Sequence, residues 1–569
     1  MLPKVSVLFE RLDASNIRYC HWKSNWVLAE TLAAETDIDL LVKREDAQAF
    51  RGVIEELGFR PAIEVGVPPF PSVEHYLALD EAEGAIVHVH AYYRVISGES
   101  LTKNYRLPLE EMLLTNVTRA GAVNLPRKGA ELVVFVLRMS LKHATLAELT
   151  LLLRGWEDVR REAAWLATNE ARRDARELLT AWLPAFSPDL FDQALDGLLD
   201  PAPMWRRIVL GRRVRSQLRQ FARRGRLRAW AAGVRAFTGR AVYRVRGTRK
   251  RLTLGEGGAV IAFVGAEATG KSTVLTEIER WLGRYLTVQR VHAGKPPGTP
   301  LTVVPNLLLP LLRSLLPGQR STRVAERRHS AGRGPSGSTE DFPLLFGIRS
   351  VLLAHDRNVL LKRAFANAVN GSVVLCDRYP SADEGAPDGA QLASRGATGN
   401  ESRLRRWLVE REGRLYRTIV PPDLAIYLTA PLETTLERNR NREKVEPEAY
   451  VRSRHERSSN LRFEGVPVRR IRTDRPLAEV LAEIRKHVWE ALKGSWRTAQ
   501  ACPDSSSCLH CEASERSGRT RGDEQFQPEL GHGWACVRPT ACSVGNRRPR
   551  HMTCNAAMIG WWIGGERRA

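Results

Sequence analysis

The sequence contains no apolar run near the roughly 18 residues that a helix needs to cross a bilayer, so no membrane span is written in it. The N-terminus also lacks the apolar core of a secretory signal, because Glu10, Arg11 and Asp13 stand where that core would lie. A cytoplasmic chain, at most peripheral to a membrane, is the expectation. Cysteine is scarce ahead of residue 502, with Cys20 and Cys376 alone in that stretch, which leaves nothing for a disulfide framework to be built from. Aromatic residues make up 7% of the chain, but 43% hydrophobic against 27% charged residues is a globular balance, not a disordered one. One further absence is local: no Asp or Glu occurs between Arg206 and Arg251.

That acid-free stretch carries seventeen Arg and Lys, so most of the chain's net charge of +23 sits there and +6 is left for everything else. A protein basic throughout, of the kind that coats nucleic acid, is thereby disfavoured, and nucleic acid is not an expected partner. Val214, Leu218 and Phe221, then Leu227, Trp230, Val234 and Phe237, recur every three or four residues, the spacing of amphipathic helices. Basic helices of this type can lie on an anionic membrane surface or bind RNA; a solvated linker whose apolar stripe packs on a neighbouring domain is the alternative.

A length of 569 residues is too great for one core and implies several folded units. Composition divides the chain into a first domain at 1–120, a helical extension at 121–205 dense in Leu, Ala and Arg, the basic linker at 206–254, a second domain at 255–496 and a tail at 497–569. The tail holds six of the eight cysteines. Its Cys508-Leu-His-Cys511 is half of a zinc-site spacing, but no second such pair follows, so the tail reads as disordered, or as out-of-frame translation of GC-rich DNA.

The strongest chemical signal begins at Ala259–Val264, an apolar run of strand length. It leads into Gly265-Ala266-Glu267-Ala268-Thr269-Gly270-Lys271-Ser272-Thr273, which matches G-x-x-x-x-G-K-S. In such a loop glycines let successive N–H groups turn inward around a phosphate, the Lys reaches the β/γ oxygens, and the Ser hydroxyl serves Mg²⁺. Val274, Leu275, Ile278, Trp281 and Leu282 then supply the buried stripe of a helix whose N-terminal dipole faces the phosphates. ATP and Mg²⁺ are the expected ligands. A second apolar strand, Gly371–Cys376, ends in Asp377-Arg378-Tyr379-Pro380, which places a carboxylate for Mg²⁺ and a guanidinium for phosphate at a strand's C-terminal edge. Arg357 sits on a predicted helix as another phosphate clamp. A third strand, Pro422–Leu428, precedes an Arg-rich run containing Arg440 and Arg442, suited to a mobile lid.

Together these elements resemble the thymidylate kinase family of P-loop nucleoside monophosphate kinases over roughly 257–493. Glu267 two places after the first glycine, the His355-Asp356-Arg357 helix ending at Arg357, the Asp377-Arg378-Tyr379 edge, and the Pro422-Asp423-Leu424 strand with its Arg-rich lid carry the match. The resemblance implies an α/β fold with a parallel sheet, an acceptor bound by Glu267, Arg357 and Arg378, and phosphoryl transfer assisted by Lys271, Asp377, Arg378, Arg440 and Arg442. Ala268 stands where that family usually has glycine, and no Ala-Tyr-Gln helix follows Pro380, so the acceptor stays open. It is a nucleoside monophosphate, dTMP included, or a related small phosphorylated molecule.

Near the N-terminus, Asp37 and Asp39 fall on one face of a strand while Ile38 and Leu40 fall on the other. Two carboxylates so placed can hold the paired Mg²⁺ ions of nucleotidyl transfer. With a helix before and after, the segment 5–95 resembles the minimal nucleotidyltransferase fold, an α+β domain, although Lys23-Ser24 replaces that family's Gly-Ser pair and His88 and His90 stand where a third carboxylate is expected. Three readings of the whole chain follow: a phosphotransferase working at Lys271, a nucleotidyltransferase working at Asp37 and Asp39 with a regulatory ATP site, or a non-enzymatic ATP switch at a membrane. A homodimer is compatible with each.

Overall fold

A computed structural model describes residues 1–65, 70, 72–142, 155–200, 204–245, 252–303, 305, 342–381, 388–393, 402–442, 445–458, 463 and 465–493. The tail from 494 onward, with its Cys508–Cys511 pair, lies outside the described residues. The described residues form one compact unit of mixed α/β structure.

The first sheet is built from β1 (Tyr19–His21), β2 (Ile38–Val42), β3 (Arg60–Glu64), β4 (Val73–Asp80) and β5 (Ala85–Tyr92). Two hairpins follow it: β6 (Val95–Ser97) with β7 (Tyr105–Leu107), and β8 (Val117–Ala120) with β9 (Val123–Pro126). A last strand of the first sheet, β10 (Leu252–Leu254), comes from beyond the basic stretch and pairs antiparallel with β3, giving the order β1-β2-β5-β4-β3-β10. Alternation assigns each face. Ile38, Leu40, Val87 and Val89 meet Val5, Leu8, Phe9, Phe50 and Ile54 of the Pro3–Ala14 and Ala47–Glu56 helices. On the opposite face Leu77, Leu79 and Ile86 join a second core that also contains Phe263, Ile278 and Trp489.

Helices Lys128–Lys142, Trp156–Leu166, Asn169–Trp182 and Pro188–Leu199 form the extension, around a core that also takes in Cys20, Leu41 and Tyr92 of the first sheet. The acid-free stretch supplies two further helices, Met204–Gln217 and Arg226–Val245. Its apolar residues divide in two: Val214 and Leu218 are buried in the extension's core, whereas Leu227, Trp230, Val234 and Phe237 are exposed.

The second sheet contains β11 (Val260–Gly265), β12 (Val288–His292), β13 (Val373–Asp377), β14 (Leu424–Thr429) and β15 (Val468–Arg472). All pairings are parallel, in the order β12-β13-β11-β14-β15. A parallel sheet is covered on both faces, which is why its central strands read as continuous apolar runs. One face takes Leu361, Ala364 and Phe365 of the Leu344–Val369 helix, which runs twelve residues past Arg357. The other takes the Lys271–Leu282 and Leu477–Lys493 helices, which are thereby shared with the first sheet.

The two sheets are tied where β10 passes the end of that long helix. Leu254 N–H donates to Gly371 O at 2.9 Å, and Gly258 N–H to Ala368 O at 2.7 Å. Gly371 has φ +85°, and a Cβ there would run into the Leu254 carbonyl oxygen. Gly371→Ala should therefore cost about 2–3 kcal/mol, from left-handed strain plus the backbone collision. Urea unfolding of wild type and variant measures it; a loss below about 0.5 kcal/mol, the level of an ordinary surface change, would show that this crossing holds nothing together.

Candidate functional site

Because every strand of the second sheet points the same way, their C-terminal ends line one edge. The chain order reverses about β11, and such edges of open α/β sheets leave a crevice for ligands. β11 delivers Gly265 there at φ +143°, where a Cβ would strike the Leu428 carbonyl oxygen of β14. Ala268 (φ 59°) and Gly270 (φ 84°) both adopt the left-handed conformation. Ala268 thus takes the backbone shape that glycine takes most readily, at a strain cost of about 1 kcal/mol. The helix beginning at Lys271 presents its N-terminus, with Ser272 and Thr273 exposed, to this edge. Thr269 Oγ1 donates to Ala266 O at 2.9 Å and pins the loop from within.

Lys271 is buried, and its ammonium donates to the carbonyl oxygens of Gly265, at 3.0 Å, and Ala266. Burial pushes its pKa down to about 8, with the Arg378 charge acting in the same direction and Glu267 and Asp377 against it. Glu267 receives Arg378 Nη2 at 2.6 Å and Arg454 Nη2 at 3.4 Å. Burial would raise the Glu267 carboxyl, but Lys271, Arg378, Arg454 and Arg442 together hold it below the usual range. A second carboxylate, Asp388, lies 3.6 Å from Arg357, 3.9 Å from Arg378 and 4.0 Å from Arg454. Arg357 is almost fully buried, bonded to Ala293 O at 2.8 Å, Asp388 O at 3.0 Å and Tyr416 Oη at 2.6 Å. Arg378 itself has φ 64°, a strained conformation that turns its side chain toward Glu267 at the end of β13. Asp377 stands beside His292 Nδ1 at 3.3 Å, across the β12–β13 pair.

The sequence-expected residues Lys271, Glu267, Arg357 and Arg378 therefore converge, joined by two that sequence reasoning missed, Asp388 and Arg454. Arg454 lies on the Glu448–Ser458 helix, beyond the expected lid. Its one sequence signal is Tyr450 a turn earlier, whose ring it covers at 5.9 Å. Asp388 sits in a Pro-Asp-Gly turn, which signals only a turn. Of the two expected lid arginines, Arg442 contributes to the field at Glu267, whereas Arg440 is exposed and faces Glu448 at 3.8 Å. Asp356 takes another task, accepting from Thr299 and Thr302 in a buried hydrogen-bond cluster.

In the first sheet, Asp37 and Asp39 are on one face, but each already has partners. Asp39 contacts Lys23 Nζ at 2.8 Å and His90 Nδ1 at 3.2 Å, and Asp37 accepts from His88 Nδ1 at 2.7 Å. Burial opposes ionisation of Asp39, yet Lys23 and His90 hold its pKa well below the carboxylate range. His75, His88 and His90 stack beside it, and burial pushes His75 to about 2 and His90 to about 4, leaving both neutral. Among the described residues no group of three or more His, Cys, Asp or Glu is arranged to hold a metal ion. An ammonium thus lies against the carboxylate that the sequence assigns to Mg²⁺.

No family profile matches the chain. Over 233 residues, 40% of its length, the chain is 25% identical to a protein of Escherichia coli K12 named "Uncharacterized ATP-binding protein YghR", covering 86% of that protein. The protein of the same name from Escherichia coli O6:H1 matches over the same extent at the same identity.

The burial of Lys271 makes a testable statement about pH. Its folded pKa near 8 is below its unfolded value of 10.5, so the unfolded chain binds more protons between these limits and stability rises with pH across that window. Unfolding of wild type against Lys271→Met from pH 7 to 11, without ligand, should show the variant more stable at pH 7 and the gap closing toward pH 10.5. A gap independent of pH would mean that the ammonium pays no burial penalty.

Proposed function

We propose that this chain is a phosphotransferase that binds ATP at Gly265–Thr273 and passes its γ-phosphoryl group to a small anionic acceptor. The observation that carries this reading is the convergence of Arg357, Arg378 and Arg454 on Glu267 and Asp388, beside Lys271, at one edge of a parallel sheet. A site for the nucleotide alone has no need of three guanidiniums beyond its loop. The name of the E. coli relative supports ATP as the nucleotide.

In this reading Lys271 exchanges its two carbonyl partners for the β- and γ-phosphate oxygens, and the left-handed residues of the loop direct backbone N–H groups inward around them. Ser272 and Asp377 offer only oxygen donors, a set that suits Mg²⁺. When bound there, Mg²⁺ would neutralise phosphate charge. Arg454 and Arg378 neutralise charge on the group in flight, Arg357 holds the acceptor's phosphate, and Glu267 accepts from an acceptor hydroxyl. A nucleoside monophosphate, dTMP among the candidates, fits this pattern of one anion and one hydroxyl.

The test is ATP turnover with a panel of nucleoside monophosphates and small phosphorylated acceptors. Lys271→Ala should abolish turnover. Arg454→Ala should lower kcat by about 10²–10³ while leaving ATP affinity nearly unchanged, the pattern of a group acting mainly in the transition state. Turnover by the wild type with no acceptor in the panel consumed would favour an ATP-driven switch. Pyrophosphate release that survives Lys271→Ala but not Asp37→Ala would move the chemistry to the first sheet.

A further inference from the structure

The Arg226–Val245 helix is oriented against the usual rule for a surface helix. Four of its small residues face the body of the protein: Ala236 is buried, Ala229 and Ala232 are half-buried, and Gly233 lies against Thr102. Its large apolar residues face outward, with Leu227 85%, Trp230 71%, Phe237 65% and Val234 42% exposed. At 3.6 residues per turn these four form one stripe along the helix. Exposed Arg228 and Arg235 border it, the helix holds no acidic residue, and neither does any position from Arg206 to Arg251. The preceding turn is fixed to the body through Arg223 N–H, which donates to Asn104 O at 2.7 Å. The stripe is therefore presented by an anchored element and is not a loose end.

An exposed apolar stripe with Trp and Phe in it, framed by cations, needs a partner that is apolar within and anionic at its surface. A second copy of the chain does not meet this, because pairing two such faces would bring two rows of arginines together. Nucleic acid would use the arginines and the rings, but it leaves the aliphatic Leu227 and Val234 with nothing to bury against.

We propose that the Arg226–Val245 helix docks flat on an anionic lipid bilayer, with Leu227, Trp230, Val234 and Phe237 among the acyl chains and Arg228 and Arg235 at the phosphate headgroups. The helix is too short of apolar residues to go further, and no described helix is long and apolar enough to cross a membrane. Binding of this kind is reversible and falls with ionic strength.

Flotation of the full chain with vesicles of phosphatidylglycerol and phosphatidylcholine, and with phosphatidylcholine alone, tests the proposal. The wild type should float with the anionic vesicles, much less with the neutral ones, and less as salt is raised. Trp230→Ser/Phe237→Ser removes exposed rings only, so its fold and ATP binding should be unchanged while its partition onto anionic vesicles falls about tenfold or more. Arg228→Gln/Arg235→Gln should weaken binding and flatten its salt dependence. Equal flotation of wild type and the Ser double variant would overturn the proposal, as would recovery abolished by nuclease, which assigns the surface to RNA. A concentration-dependent dimer dispersed by the Ser substitutions, with no vesicle binding, would overturn it in favour of self-association.

Discussion

Burying an ammonium is costly unless something compensates it, and Lys271 is buried against two backbone carbonyls of its own loop. Much of the second sheet is arranged around that cost. β11 must end at a residue without a side chain so that the loop can pass Leu428, and the loop must turn through left-handed conformations to bring Gly265 and Ala266 oxygens under the amine. Glu267 then places a carboxylate close enough to raise the affinity of Lys271 for its proton, and in turn draws in Arg378 and Arg454. Lys271, Glu267 and Arg378 form one electrostatic unit, in which the carboxylate is held ionised by the cations and favours their charged forms in return.

The helix that starts at Lys271 also links the two sheets. Its N-terminus lies at the ion cluster, and its C-terminal turn lies under the first sheet, where Trp281 Nε1 donates to Gly84 O at 2.9 Å and Tyr285 packs edge-on against His88 at 5.5 Å. His88 in turn holds Asp37. The helix and the turn that follows it therefore run from the loop to the histidine stack, with Trp281 also packed against Trp489 of the Leu477–Lys493 helix. The apolar core around Phe263, Ile278 and Leu79 belongs to both sheets at once, so neither can shift without disturbing the packing of the other.

What the sequence made legible follows burial. β11, β13 and β14 are covered on both faces and read as apolar runs. β12 (Val288–His292) and β15 (Val468–Arg472), at the two edges, each bury a single residue, Val291 and Ile471, and leave no such run. The loop residues 265–273 were legible because each has a fixed task at a fixed spacing. Arg454 was not, because a chain so rich in arginine offers many candidates, and only the fold distinguishes Arg454, at the ion cluster, from Arg440, in solvent. The Asp37-x-Asp39 pattern was legible as geometry, but the partners that neutralise it, Lys23, His88 and His90, come from other strands or turns. In the basic stretch, hydrophobic periodicity located the helices but could not say which way each would turn. Val214 faces a core and Trp230 faces water at the same kind of spacing.

The short strand β10 limits where the chain can be divided. It stands on the far side of the basic stretch from every other strand in its sheet, yet it covers the β3 edge and shields backbone groups that would otherwise recruit a foreign strand. The first sheet thus borrows its last strand from polypeptide that follows the basic stretch. Cutting the chain within that stretch would leave β3 as an open, sticky sheet edge on the first product.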